Sequence, residues 1–356
     1  MTSVSGEGDA PAPAAPGFAV FDGHNDLLMK LWLAGDRDGR AFFDGADGHV
    51  DLAKCRAGGF AGGFFAIWPP DPAEPPEDDP EPTWPPLDVA HAGRAAMGMA
   101  AILLRMTRAR PDALRLCRSA DEIEAARAAG AVAAVMHMEG CEAIDADLDA
   151  LHVYHAAGLR SLGPVWSRDN IFGSGVPFRH DASPEIGPGL TDAGRRLVRA
   201  CDRLGVLVDL SHLNAAGFRD VAAITEGPLV ATHSNVHALC PASRNLTDWQ
   251  LSAIAERGGL VGLNFAVQFL RADGAKDAAT PLDVLTRHLA RLVERLGEGG
   301  VALGSDFDGA VMPQAIGDAA GLPALTRAMR AAGFDDALIR RICWDNWVDL
   351  LRRVIG

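Results

Sequence analysis

What most limits how this chain can fold is a succession of eight short apolar runs, near residues 18, 62, 131, 159, 206, 229, 259 and 301, most of them separated by segments of helical periodicity. Each run has the length of a strand, and nearly every one stops at polar residues. Glu139-Gly140 ends the run from Ala131, Trp166-Ser167-Arg168 the run from Leu159, and Ser211-His212 the run from Val206, while Ser305-Asp306 follows Val301 to Gly304. Eight strand and helix units predict an α/β fold of the closed (β/α)8, TIM-like kind, in which active-site groups gather at the C-terminal ends of the strands. An open doubly wound sheet is the structural alternative, but no G-x-G-x-x-G follows the first run.

Between the runs, helices are expected over Val89 to Arg108, over Arg195 to Leu204 behind Thr191-Asp192, and over Leu282 to Leu296 behind Thr280-Pro281. Beyond Gly309, the stretches Leu322 to Ala332 and Asp336 to Val354 read as a helical tail packed on the barrel's outside. Residues 69–86 are dense in Pro, Asp and Glu, a composition that builds no core, so an exposed loop is expected there. Residues 1–17, rich in Ala, Pro and Gly, read as a flexible segment ahead of a single domain over 18–356.

A net charge of −14 without any basic run argues against nucleic acid or an anionic membrane as partner. No apolar run is long enough to span a bilayer, and the first residues lack the cationic start and apolar stretch of a secretory signal. Six cysteines stand singly, with no C-x-x-C, as reduced thiols in a cytoplasm would. A cytoplasmic protein without nucleic-acid or membrane partners is therefore expected, and a homo-oligomer stays open.

The chemistry starts at Phe21-Asp22-Gly23-His24-Asn25-Asp26. In extended backbone, side chains at i and i+2 point the same way, so His24 and Asp26 emerge together as a two-point grip for a divalent metal. The bland alternative is a helix-capping Asp beside a surface His. The other run-ends supply Glu139, His212, His233 and Asp306, making three imidazoles and three carboxylates in all, the donor set that two adjacent divalent cations need. Glu139 is the natural bridge, because the remaining ligands divide into His24 with Asp26 and His212 with His233.

Taken together, Asp22-Gly23-His24-Asn25-Asp26, Met138-Glu139-Gly140, Asp209-Leu210-Ser211-His212, Thr232-His233-Ser234, Arg244-Asn245 and Gly304-Ser305-Asp306-Phe307-Asp308-Gly309 resemble the renal, or membrane, dipeptidase family of zinc peptidases, in the family's order. The resemblance implies a barrel metallohydrolase that cleaves the peptide bond of dipeptides through a metal-bridging hydroxide. It implies two Zn2+ held by His24, Asp26, bridging Glu139, His212 and His233. It also implies proton transfer by Asp306 and recognition of the substrate carboxylate by Arg244.

Two departures stand out. Where well-known members carry a His that contacts the substrate carbonyl, this chain has Trp166, whose indole donates one hydrogen bond and cannot titrate. No apolar tail for a lipid anchor follows the last helix. The runner-up function is another binuclear-metal barrel amidohydrolase acting on a non-peptide amide or ester, for which His-x-His would be expected on the first strand. The remaining histidines, His49 and His137 among them, read as solvent-facing or local hydrogen-bonding groups, and Asp209 and Asp308 as groups that orient or cap.

Overall fold

The computed structural model describes residues 17–45, 47–72 and 84–356. All but the last residue of the flexible segment expected at 1–17, and the centre of the loop expected at 69–86, lie outside the described residues.

The described residues form nine strands: β1 (Val20–Asn25), β2 (Phe60–Ile67), β3 (Leu114–Leu116), β4 (Val132–Glu139), β5 (Leu159–Gly163), β6 (Leu207–Val208), β7 (Val230–Ala231), β8 (Leu260–Leu263) and β9 (Val301–Leu303). Their order is β6-β5-β4-β2-β1-β9-β8-β7, parallel throughout. The two ends of that order meet where Asp209 bridges Val230 and the Leu210 N–H donates to the Val230 carbonyl at 2.8 Å. The sheet thus closes into the expected eight-stranded barrel. Strand β3 was not anticipated. It pairs with the first residues of β4, before β5 takes over that edge, and three residues are too few to leave a periodic signal.

Strands β6 and β7 are shorter than the runs that contain them. The chain leaves β6 through a turn in which His212 has left-handed backbone, φ 67°. Beside β7, Gly262 and Gly304 face the Thr232 carbonyl so closely that a Cβ at either would lie 2.0 Å from its oxygen. Only glycine lets β8 and β9 pass so near the residue that precedes His233.

The helices follow the caps. Helix Asp192–Leu204 starts at Thr191, whose side chain accepts from the Gly194 N–H, and another helix runs over Leu282–Leu296. The tail, however, departs from expectation. Instead of lying on the barrel's outside, the segment through Arg341–Asp345 and Asn346–Val354 plugs the N-terminal mouth of the barrel. Trp344 and Trp347 are buried against Phe21, and Trp347 also meets Phe64 edge-on at 5.2 Å. The Trp347 indole N–H donates to the Leu303 carbonyl at 2.9 Å. Inward-facing residues of the strands, such as Phe21, Ala133, Leu207, Val230, Leu260 and Ala302, complete this apolar floor. Among the described residues, no helix is long and apolar enough to cross a membrane.

Candidate active site

At the opposite mouth, the strand ends bring the sequence-derived groups together. His24, the last residue but one of β1, is fully buried, and Asp26 stands just beyond the strand at the head of helix Leu27–Leu33 without making a capping bond. The bland alternative of a capping Asp beside a surface His therefore does not hold. His24 Nε2 lies 3.4 Å from Asp26 Oδ2 and 3.5 Å from Glu139 Oε2. The other oxygen of Glu139 faces the opposite way, with Oε1 at 2.9 Å from His212 Nε2 and 3.2 Å from His233 Nε2. The two carboxylate oxygens of one residue thus address two separate ligand groups. A third group joins His24 and His233 to Asp306, each contributing an atom within 4.8 Å of the others.

Outer partners fix the imidazoles. The Thr232 hydroxyl donates to Asp209 Oδ2 at 2.6 Å and lies 2.8 Å from His233 Nδ1. With its single hydrogen given to Asp209, the hydroxyl accepts the Nδ1–H, which leaves Nε2 with a bare lone pair aimed at the cluster. His212 Nδ1 rests 2.8 Å from the Ser167 hydroxyl. Among the described residues, neither ring nitrogen of His24 has a hydrogen-bond partner, although both are buried. Asp306 accepts from Asn264 Nδ2 at 3.0 Å.

The electrostatics of the protein alone are strained. Burial works against a charged His24, but the carboxylates of Glu139, Asp26 and Asp306 outweigh it and push the pKa up to about 10. Burial raises Glu139 to about 8 despite the His24 charge, and it raises Asp306 as well. His212 and His233 are held well below the usual range, by burial first and then by the positive charges of Arg244 and His24. Buried carboxylates that resist ionising, imidazoles that stay neutral and a His24 ring without partners all become favourable once divalent cations sit among them. The donor set fits metal.

A cavity of about 180 Å3 opens onto this cluster, lined by Asp26, Glu139, His212 and Asp306 on one side and by Trp68, Trp166, Phe178 and Phe269 on the other. Trp166 is packed edge-on against Trp68, Trp84 and Phe178, with ring centroids 5.0, 4.8 and 5.4 Å away. Arg244 sits behind His233 and is not among the lining residues. It is buried, with Nη1 donating to Ser234 Oγ (2.8 Å), Nη2 to the His233 carbonyl (2.9 Å), and Nε without a partner. A larger cleft of about 290 Å3, lined by Leu270, Arg271, Arg287 and His288 among others, holds none of the clustered groups.

Several groups escaped the sequence reading. Ser167, Thr232 and Asn264 each touch a clustered residue, and all three stand at or inside apolar runs, where an isolated polar residue was the available signal. The buried pair Arg168 and Glu142, 2.8 Å apart, ties the end of β5 to the loop after β4 and, through Pro69, to the end of β2. That link gave no local signal.

Comparison with known proteins gives the family. The family model described as membrane dipeptidase (peptidase family M19) matches residues 15–355. A metallopeptidase from Rhodobacter sphaeroides, solved with a phosphinate mimic of the dipeptide L-Ala-D-Ala, is 50% identical with a TM-score of 0.91, over 95% of this chain and 100% of that one. The solved dipeptidase AC, a metallopeptidase of family M19, is 52% identical with a TM-score of 0.90, over 96% of this chain and 100% of that one. A protein of Klebsiella pneumoniae, called the uncharacterized protein in the pqqA 5' region, is 47% identical over 254 residues, which are 71% of this chain and 94% of its own length. From residue 15 to residue 355, then, the chain belongs to the membrane dipeptidase family, peptidase family M19, and is a metallo-dipeptidase of the hydrolase class.

Proposed function

We propose that the chain hydrolyses the peptide bond of free dipeptides at a pair of zinc-class divalent cations, one held by His24, Asp26 and Glu139, the other by Glu139, His212 and His233. The observation that carries this is the divergence of the two Glu139 oxygens toward two ligand groups. When bound, the cations would supply Lewis acidity toward the scissile carbonyl and lower the pKa of an attacking water. Asp306, on the cavity wall and steadied by Asn264, takes the proton of the attacking water and returns it to the leaving amine.

The cavity accommodates a small ligand, and the Rhodobacter sphaeroides relative holds a mimic of L-Ala-D-Ala, so a dipeptide of small residues is the substrate class. Trp166 forms part of the aromatic wall along which the substrate lies, in the place where a titratable His would otherwise contact the carbonyl. Arg244, buried behind His233, supplies the positive charge that selects a free carboxylate. The residues 18–356 act as one unit, in a cytoplasmic protein with no nucleic-acid or membrane partner.

One experiment tests the whole reading. Elemental analysis of the wild type should find two divalent cations per chain, and Glu139→Ala should lower both occupancies and abolish hydrolysis. On the wild type, an unblocked dipeptide should be cleaved at least tens of times better than its C-terminal amide, the scale expected when a desolvated charge loses its partner, about 2–5 kcal/mol. A single full-occupancy cation indifferent to Glu139→Ala removes the bridge, and equal rates on dipeptide and amide remove the carboxylate contact.

A further inference from the structure

The turn that presents Asp306 is held from outside the barrel as well as from within. In Ser305-Asp306-Phe307-Asp308-Gly309, both Asp306 and Asp308 have left-handed backbone, φ 64° and 67°. Residues other than glycine adopt it only where their surroundings impose it. From the barrel side, the Asp306 N–H donates to the His24 carbonyl at 3.0 Å, the Asp26 N–H to the Phe307 carbonyl at 2.8 Å, and the Phe307 N–H to Ser305 Oγ at 3.1 Å.

From the other side comes one imidazole. The Asp308 N–H donates to His49 Nδ1 at 2.8 Å, and the His49 N–H donates back to Asp308 Oδ1 at 2.7 Å, closing a reciprocal pair between residues 259 apart in sequence. The His49 ring also lies against Phe307, centroids 5.7 Å apart, and Lys30 Nζ reaches Asp308 Oδ1 at 3.2 Å. The segment bearing His49 is itself anchored: its carbonyl accepts the Ala319 N–H at 3.0 Å, and Lys54 Nζ donates to the neighbouring Gly48 carbonyl at 2.8 Å. His49 does not line the cavity.

We propose that His49 is a positioning residue for the hydrolysis: by accepting the Asp308 N–H at Nδ1 it fixes the left-handed turn that sets the Asp306 carboxylate over the cavity. The inference rests on the proton-transfer reading of Asp306. It needs a bare lone pair at Nδ1, so the ring hydrogen belongs on Nε2. That requirement makes the role separable from packing. An Asn side chain places an amide oxygen close to where Nδ1 stands, whereas Gln carries the same amide one methylene farther, near the place of Nε2.

The test compares His49→Asn, His49→Gln and His49→Ala, each assayed per folded, metal-loaded molecule, with Asp306→Asn as reference. His49→Gln and His49→Ala should lower kcat by about 10- to 100-fold with little change in KM, the scale of a displaced catalytic group, while His49→Asn keeps most of the rate. Amide exchange should show the same split without any turnover, with the Asp308 N–H losing protection in the Gln and Ala variants and keeping it in the Asn variant. An unchanged kcat in His49→Gln, or equal losses in the Asn and Gln variants, overturns the role of Nδ1, even where Asp306→Asn is inactive. Wild-type turnover in Asp306→Asn overturns the reading of Asp306 and this inference with it.

Discussion

The two mouths of the barrel are built from the same strands and answer to opposite rules. On β1, Phe21 points into the floor and His24 into the cluster of His, Asp and Glu side chains, three residues apart. The floor is apolar, with Trp344, Trp347 and Phe64 around Phe21, and both of its indole donors are spent, Trp347 on the Leu303 carbonyl and Trp344 on Glu124 Oε1. The opposite mouth keeps atoms unspent, both nitrogens of His24 among them. One end is finished by the polypeptide alone, and the other is left chemically open. Stability should therefore be concentrated below and reactivity above, with limited exchange between them.

The comparison is sharpest at the open end. Asp306→Asn keeps size and hydrogen-bonding shape but cannot carry the proton, so kcat should fall by roughly 10²–10⁴-fold, with metal content and melting temperature close to wild type. Near-normal turnover would make Asp306 structural and blur the division of labour. At the closed end, Trp347→Ala should cost about 3–5 kcal/mol of stability, read by chemical denaturation, while KM of the surviving folded molecules stays put. If it disturbs KM instead, floor and cluster are mechanically coupled.

The smallest effect is expected where the two characters mix. Trp166 is an aromatic packed among Trp68, Trp84 and Phe178, yet it lines the cavity. Trp166→Phe retains most of that packing and removes one N–H, so kcat/KM should drop by about threefold to tenfold, near 1 kcal/mol for one hydrogen bond, with little loss of melting temperature. Unchanged kinetics and a large loss of stability would move Trp166 to the structural side.

Much of this was legible in the chain because a strand end is a local event. An apolar run that stops at His212 or Glu139 announces both the strand and the side chain at its tip, and eight such runs announce the barrel. What escaped depends on where distant segments meet. Nothing around Trp344 and Trp347 distinguishes a helix lying on the barrel from one plugging it, since either position buries the same apolar stripe. His49 reads as an ordinary surface histidine until Asp308, 259 residues later, is folded against it. Likewise the contacts of Arg244 with Ser234 and the His233 carbonyl were not legible, because sequence order says nothing about which of its donors its neighbours have already claimed.

The apolar plug also bears on how the molecule comes to be made. Residues 341–354 follow every described strand, so during synthesis from the N-terminus all eight barrel strands and all of the clustered donors emerge before the segment that seals the barrel's lower mouth. Until then Phe21, Phe64 and their neighbours face water, and the incomplete barrel is a surface on which chaperones or other nascent chains can act. Loss of residues 341–354 would leave every clustered His, Asp and Glu intact in sequence and the fold around them unsealed.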